Sequence, residues 1–150
     1  MVYLYSDDLG QTWSAPHTVS QDLTGRIFYW DQRATIDRQG RILSFSWTYD
    51  CETAKYLNIH RRVSADEGAS WSAPEDLGFA DQPSHPAVLP DGRFVLAWVD
   101  RFGSRSIRAR AADSGTEFLS GETELILYQQ SPITAKSGWI SVMLPPFGSC

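Results

Sequence analysis

One short motif occurs twice, 58 residues apart, and it limits what this chain can fold into more than any other feature. The first copy reads Ser6-Asp7-Asp8-Leu9-Gly10-Gln11-Thr12-Trp13-Ser14-Ala15-Pro16, the second Ser64-Ala65-Asp66-Glu67-Gly68-Ala69-Ser70-Trp71-Ser72-Ala73-Pro74. They share S-x-D-x-G-x-[ST]-W-S-A-P. A worn third copy follows at Asp113-Ser114-Gly115-Thr116-Glu117-Phe118, with Phe118 in the tryptophan's place. Self-similarity at such a period marks an array of supersecondary units, each too small to bury its own apolar face.

The residue types in the motif are those of a folding staple. Asp8 and Asp66 are short enough to accept hydrogen bonds from nearby backbone N–H groups and so fix a tight turn. Gly10 and Gly68 suit a positive φ that a Cβ would oppose. Ser6 and Ser64 open the two copies, and Thr12 and Ser70 can hydrogen-bond locally. Trp13 and Trp71 bring apolar surface to anchor the turn against neighbouring strands. Pro16 and Pro74 end the unit. Nothing in the set activates a nucleophile or binds a metal.

A second repeat supports the first. The run Arg33 to Trp47 is echoed by His85 to Trp98, each reading as a strand, a turn ending in Gly-Arg, then an apolar strand ending at tryptophan. Tyr56 to Val63 and Ser106 to Ala112 alternate as third strands, and each runs into a motif copy. Pro74 to Phe79 and Glu124 to Tyr128 supply outer fourth strands. The expected fold is all-β, in blades of four antiparallel strands.

The paired motifs resemble the Asp-boxes, or bacterial neuraminidase repeats, of sialidases and related β-propeller proteins, over roughly residues 1–128. The resemblance implies that each box joins the third and fourth strands of a blade, in a propeller of six blades. Boxes centred on Asp8, Asp66 and Asp113 recur every 47 to 58 residues, so the 150 residues hold about two to three blades. The chain therefore reads as a partial propeller domain over 1–150, with boxes at 6–13 and 64–71, a degenerate copy at 113–118, and an irregular or partial next blade at 129–150. Met1 to Tyr5 would be the end of a third strand whose inner partners are missing.

In a propeller, ligands bind at the end of the channel opposite the boxes and the Gly-Arg turns. The candidates at that end lie in Arg26 to Arg33, Tyr49 to Lys55, Phe79 to His85 and Asp100 to Arg105. Trp30, Asp31 and Arg33 join an aromatic stacking face to directional hydrogen-bonding groups at an entry to the channel. The bland alternative is a solvated loop, with Trp30 packed between blades. Tyr49-Asp50 and Asp100-Arg101 occupy matching places after Trp47 and Trp98, and a residue that recurs this way is more often architectural. His85 opens a first strand beside Pro86. Arg105, Arg108 and Arg110 read as an ordinary exposed basic face paired with acidic neighbours.

The resemblance implies three arginines, a tyrosine nucleophile with its glutamate, and an aspartate acid/base. It places the first arginine in a [FY]-R-I-P motif ahead of the first box. No such motif is present, and Gly25-Arg26-Ile27-Phe28 lacks the proline and follows a box. The catalytic residues are thus left unassigned. Two functions stay open: part of a sialidase-like exo-glycosidase, inactive as an isolated chain, or a non-catalytic propeller that binds carbohydrate or protein.

The net charge of −5 argues against nucleic acid as a partner. Apolar runs such as Phe94 to Val99 are too short to span a membrane, and the composition fits a soluble protein. No signal peptide precedes the first box, so secretion would require one ahead of Met1. No zinc spacing and no Gly-rich phosphate loop appear, so neither metal nor cofactor is expected. Cys51 and Cys150 make no disulfide framework. Open propeller edges imply self-association.

Overall fold

The computed structural model describes residues 1–80, 82–101, 103–115 and 124–130, and in these the protein is all-β. Strands β1 (Val2–Tyr3) and β2 (His17–Thr18) pair into a short antiparallel ladder flanking the first motif copy. Strands β3 (Ile27–Ile36), β4 (Ile42–Asp50), β5 (Lys55–Ser64) and β6 (Glu75–Ala80) follow as an antiparallel sheet in sequence order. This is a complete propeller-type blade. The second sheet holds β7 (Gln82–Pro83), β8 (Ala87–Val88), β9 (Phe94–Asp100), β10 (Ser106–Ala112) and β11 (Glu124–Gln129). Strands β7 and β8 both pair with β9, so they are one inner strand interrupted at Ser84 to Pro86.

The turns are built as their residue types require. In the first motif Asp8 accepts from the Thr12 amide (2.8 Å) and hydroxyl (2.7 Å), while Ser6 Oγ donates to Asp8 (2.8 Å) and accepts from the Gly10 amide (2.7 Å). The second repeats this atom for atom through Asp66, Ser70, Ser64 and Gly68. Gly10 and Gly68 have φ of 88° and 89°, where a side chain would be strained. The hydrogen bonds hold both aspartates at about 2, Thr12 contributing most at Asp8 and Ser70 at Asp66. The two tryptophans diverge. Trp71 packs edge-on against Tyr3, whereas Trp13 is 63% exposed. Gly115 of the third copy is buried, and residues 116–118 lie outside the described residues.

The two full sheets pack face to face. Leu43, Phe45, Ile59, Leu77 and Phe79 from the first meet Phe94, Leu96 and Trp98 from the second, nearly all removed from water. Each such side chain contributes about 2 kcal/mol on burial. The Trp47 and Trp98 repeats, alike in sequence, serve opposite faces of their strands. Trp47 stands seven residues after Gly40, Trp98 six after Gly92, and a one-residue slip turns a strand side chain over. Both tryptophans therefore point into the same interface. Arg61, buried within it, donates to the Gly115 carbonyl (2.6 Å) and pairs with Glu75.

Two further expectations are corrected. Trp30 to Arg33 lie inside β3, not in an entry loop, because the strand begins at Ile27. Arg108 and Arg110 do pair with an acidic neighbour, Glu124, but they are only about a quarter exposed, and the Arg110 guanidinium lies 4.8 Å from the Phe79 ring centre.

Candidate functional site

The densest chemistry lies at the end of the first blade opposite the motif turns. The register of β3 on β4 sets Phe28 opposite Tyr49 and Trp30 opposite Trp47, and that of β4 on β5 sets Tyr49 opposite Tyr56. Directly opposed residues share a face, so five rings gather on one side of the sheet. Trp30 and Trp47 stack at 5.2 Å, and Trp47 and Tyr56 at 4.7 Å with 17° between planes. Tyr49 tilts against Tyr56 at 5.1 Å, and Phe28 meets Trp30 edge-on at 5.6 Å. Trp47 is the buried floor, its Nε1 donating to the Leu57 carbonyl at 3.0 Å. Phe28 and Tyr56 are 50% and 42% exposed, so the cluster opens to solvent as an aromatic shelf.

Polar groups edge this shelf from both blades. A register shift between Trp30 and Arg33 gives β3 a bulge, in which Asp31 takes a φ of 49°. Bulges re-aim side chains, and here the Asp31 carboxylate reaches the second blade, accepting from Gln82 Nε2 at 2.6 Å. Arg101, from the β9–β10 loop, lies with its guanidinium 5.1 Å from the Trp47 ring centre. The arrangement offers flat apolar faces, a carboxylate, an amide and a cation, which together suit stacking and directional hydrogen bonding to a polyhydroxylated ring.

The other sequence candidates separate clearly. Asp50 is buried and committed: Arg26 donates to it through Nε (3.1 Å) and Nη2 (2.7 Å), and it accepts from the Glu52 and Thr53 amides. The Arg26 hydrogen bond is the largest influence holding its carboxyl at about 2. Asp100 has the matching role in the second blade. Burial pushes its carboxyl up, but the amide and hydroxyl of Ser104 and the Gly103 amide outweigh that and leave it lowered. Both carboxylates thus accept backbone hydrogen bonds from the loops that follow them. Arg33 donates to the Gln32 carbonyl at 2.8 Å, on the face of β3 that meets the second blade. His85 is exposed in the interruption between β7 and β8.

Phe28, Tyr56 and Gln82 were not singled out from sequence. Phe28 and Trp30 alternate, as do Trp47 and Tyr49, and hairpin register would have brought all four together with Tyr56. The Gln82 contact is between blades and has no local signature. An open groove of about 520 Å³ lies on the second blade, lined by Val99, Arg101, Arg105, Ile107 and Tyr128 among others. Among the described residues no group of three or more His, Cys, Asp or Glu could hold a metal ion, and no helix is long and apolar enough to cross a membrane.

No family model and no curated protein matches the chain by sequence. Among solved structures it is similar to a protein of unknown function from Dyadobacter fermentans DSM 18053, at 27% identity and a TM-score of 0.69, over 84% of this chain and 33% of that one. It is also similar to an α-L-arabinanase of Penicillium chrysogenum solved with arabinobiose, at 19% identity and a TM-score of 0.57, over 84% of this chain and 40% of that one. The chain thus spans about a third to two fifths of these structures, and the likeness supports an all-β propeller section.

Proposed function

We propose that this chain is a carbohydrate-binding section of a β-propeller, with a sugar ring seated on the shelf of Phe28, Trp30, Tyr49 and Tyr56. The carrying observation is the five-ring cluster, partly exposed and edged by Asp31, Gln82 and Arg101. Ring faces bind the C–H side of a sugar, while the edging groups select its hydroxyls. The arabinobiose held by one structural neighbour makes arabino-oligosaccharides natural first ligands to try. Saturation-transfer NMR on the chain with arabinobiose, and separately with sialyllactose, tests this reading. Transfer to sugar C–H protons is expected for at least one, and silence from both would contradict it.

A second reading is favoured by the doubled turns. Their identical hydrogen bonding suits Asp-boxes, and so a section of a sialidase-like exo-glycosidase that releases a terminal acidic sugar. On that reading the isolated chain is inactive, because Asp50 and Asp100 are tied into loops and no nucleophile is paired with a base among the described residues. No turnover of a fluorogenic sialic-acid glycoside is expected. Turnover abolished by Arg33→Ala would show instead that these blades assemble an active site.

A further inference from the structure

One arginine of the described residues is left uncommitted by the fold. The others pair with carboxylates, as Arg26 and Arg61 do, donate to backbone carbonyls, as Arg62 does, or lie over a ring, as Arg101 does. The exception is Arg105, whose exposed guanidinium has no hydrogen bond, ion pair or ring contact among the described residues. It is the last residue before β10 and has a φ of 51°. Ala54 stands in the same place before β5 with the same φ of 51°, so the bend belongs to the loop and the arginine does not. Where the first blade places a methyl group, the second places a cation with five N–H donors.

Arg105 lines the open groove of about 520 Å³ on the second blade, a volume in the range of small-ligand sites. Val99 and Tyr128 both lie opposite Ile107 in the strand register, so the three share a face of the sheet and make an apolar floor. Tyr128 is 58% exposed, which leaves its side chain open to a ligand. Two guanidiniums, of Arg101 and Arg105, stand in this lining against one carboxylate, of Asp100. That carboxylate is already occupied by Gly103 and Ser104. Arg101 also lies over Trp47, the floor of the shelf, so one residue borders both the groove and the shelf.

Taking the shelf as a sugar site, on which this reading rests, we infer that the groove is a second saccharide subsite selecting a carboxylate. It takes the ring beyond the one on the shelf, so the ligand is an acidic oligosaccharide of at least two rings. The apolar floor receives the C–H face of that ring, and the planar Arg105 fork matches a carboxylate through two parallel hydrogen bonds. Two guanidiniums against one carboxylate leave a single positive charge, which suits a monoanion. A neutral apolar occupant would bury the Arg105 cation unpaired, which is costly.

Calorimetric titration with trigalacturonate and with a hyaluronan tetrasaccharide, each beside its methyl ester, tests this, because the ester keeps the rings and removes the charge. At least one acid is expected to bind about tenfold tighter than its ester, the order expected for a hydrogen bond to a charged group. In Arg105→Gln, at an exposed site where the fold should be spared, acid and ester should bind alike. Arg105→Lys keeps the charge and loses the fork, and should fall between. Tyr56→Ala should weaken acid and ester equally, since the shelf holds a ring in both. Acids bound no better than their esters, or a preference that survives Arg105→Gln, would overturn the inference and leave the shelf standing. Silence from both acids while a neutral sugar binds the shelf would do the same, and silence from every sugar would overturn the shelf as well. A preference that needs Arg105 and ignores Tyr56→Ala would overturn the link to the shelf. Loss of the preference as the chain self-associates at high concentration would assign the groove to a second copy of the chain and overturn its role as a subsite.

Discussion

Asp8, Asp50 and Asp66 each hold a carboxyl at about 2 by accepting hydrogen bonds that an unfolded chain does not provide. A depressed folded pKa stabilises the protein above the unfolded value and loses that contribution as pH falls through the folded one. The melting temperature is therefore expected to drop between about pH 4 and pH 2, and more gently in Asp66→Asn, which a thermal melt series across that range would check. Glycine context gives a second residue-scale prediction. Gly10→Ala and Gly68→Ala both force a side chain into positive φ, costing about 1 kcal/mol. Gly68→Ala also collides with the Tyr3 hydroxyl, adding about 1–3 kcal/mol of overpacking. Denaturant titration should rank Gly68→Ala clearly below Gly10→Ala, and equal stabilities would contradict the packing described. The turn chemistry was legible in the motif because its hydrogen bonds are local. Whether Trp13 or Trp71 is covered was not, since the cover for Trp71 comes from Tyr3 in another sheet.

At the scale of elements, strand order followed from repeat order, because each strand of a blade pairs with its sequence neighbours. Strand faces were less legible. The Gly-Arg repeats invited Trp47 and Trp98 to be read as equivalents, but one residue of spacing turns them to opposite faces and into a shared interface. The start of β3 was also misplaced, because Trp30 to Arg33 contain a bulge that interrupts simple alternation. Arg61 is the polar centre of the packing between blades. Arg61→Ala removes the donor that reaches the Gly115 carbonyl and Glu75, and because Glu75 is 40% exposed a loss of about 1–3 kcal/mol is expected by denaturant unfolding. A loss under about 1 kcal/mol would mean that the arginine is not what holds the sheets in register. Arg61→Met, which keeps the volume and removes the charge, is expected to fall between.

For the whole molecule, sheets that bury one face against each other leave their outer faces open. Ile107, Leu125 and Tyr128 are 39%, 52% and 58% exposed on the last sheet, and Val2 and Leu4 are 53% and 45% exposed at the first. Concentration-dependent mass in sedimentation is expected, and a single monomeric species at all concentrations would contradict it. The site was half legible at this scale. Trp30, Tyr49 and Asp31 stood out in sequence, and topology placed them at the end away from the motif turns. The reach of Asp31 to Gln82 and of Arg101 to Trp47 depends on how two blades meet, which no local pattern records. The measurement that bears most directly on the central claim is a tryptophan-fluorescence titration with arabino-oligosaccharides and sialyllactose, run on wild type and Tyr56→Ala. Tyr56 is 42% exposed, so its truncation should spare the fold. The shelf predicts saturable binding by at least one sugar and about a tenfold weakening in the variant, equivalent to about 1.4 kcal/mol. Binding that is unchanged in Tyr56→Ala, or absent for every sugar in the wild type, would contradict a sugar-binding shelf.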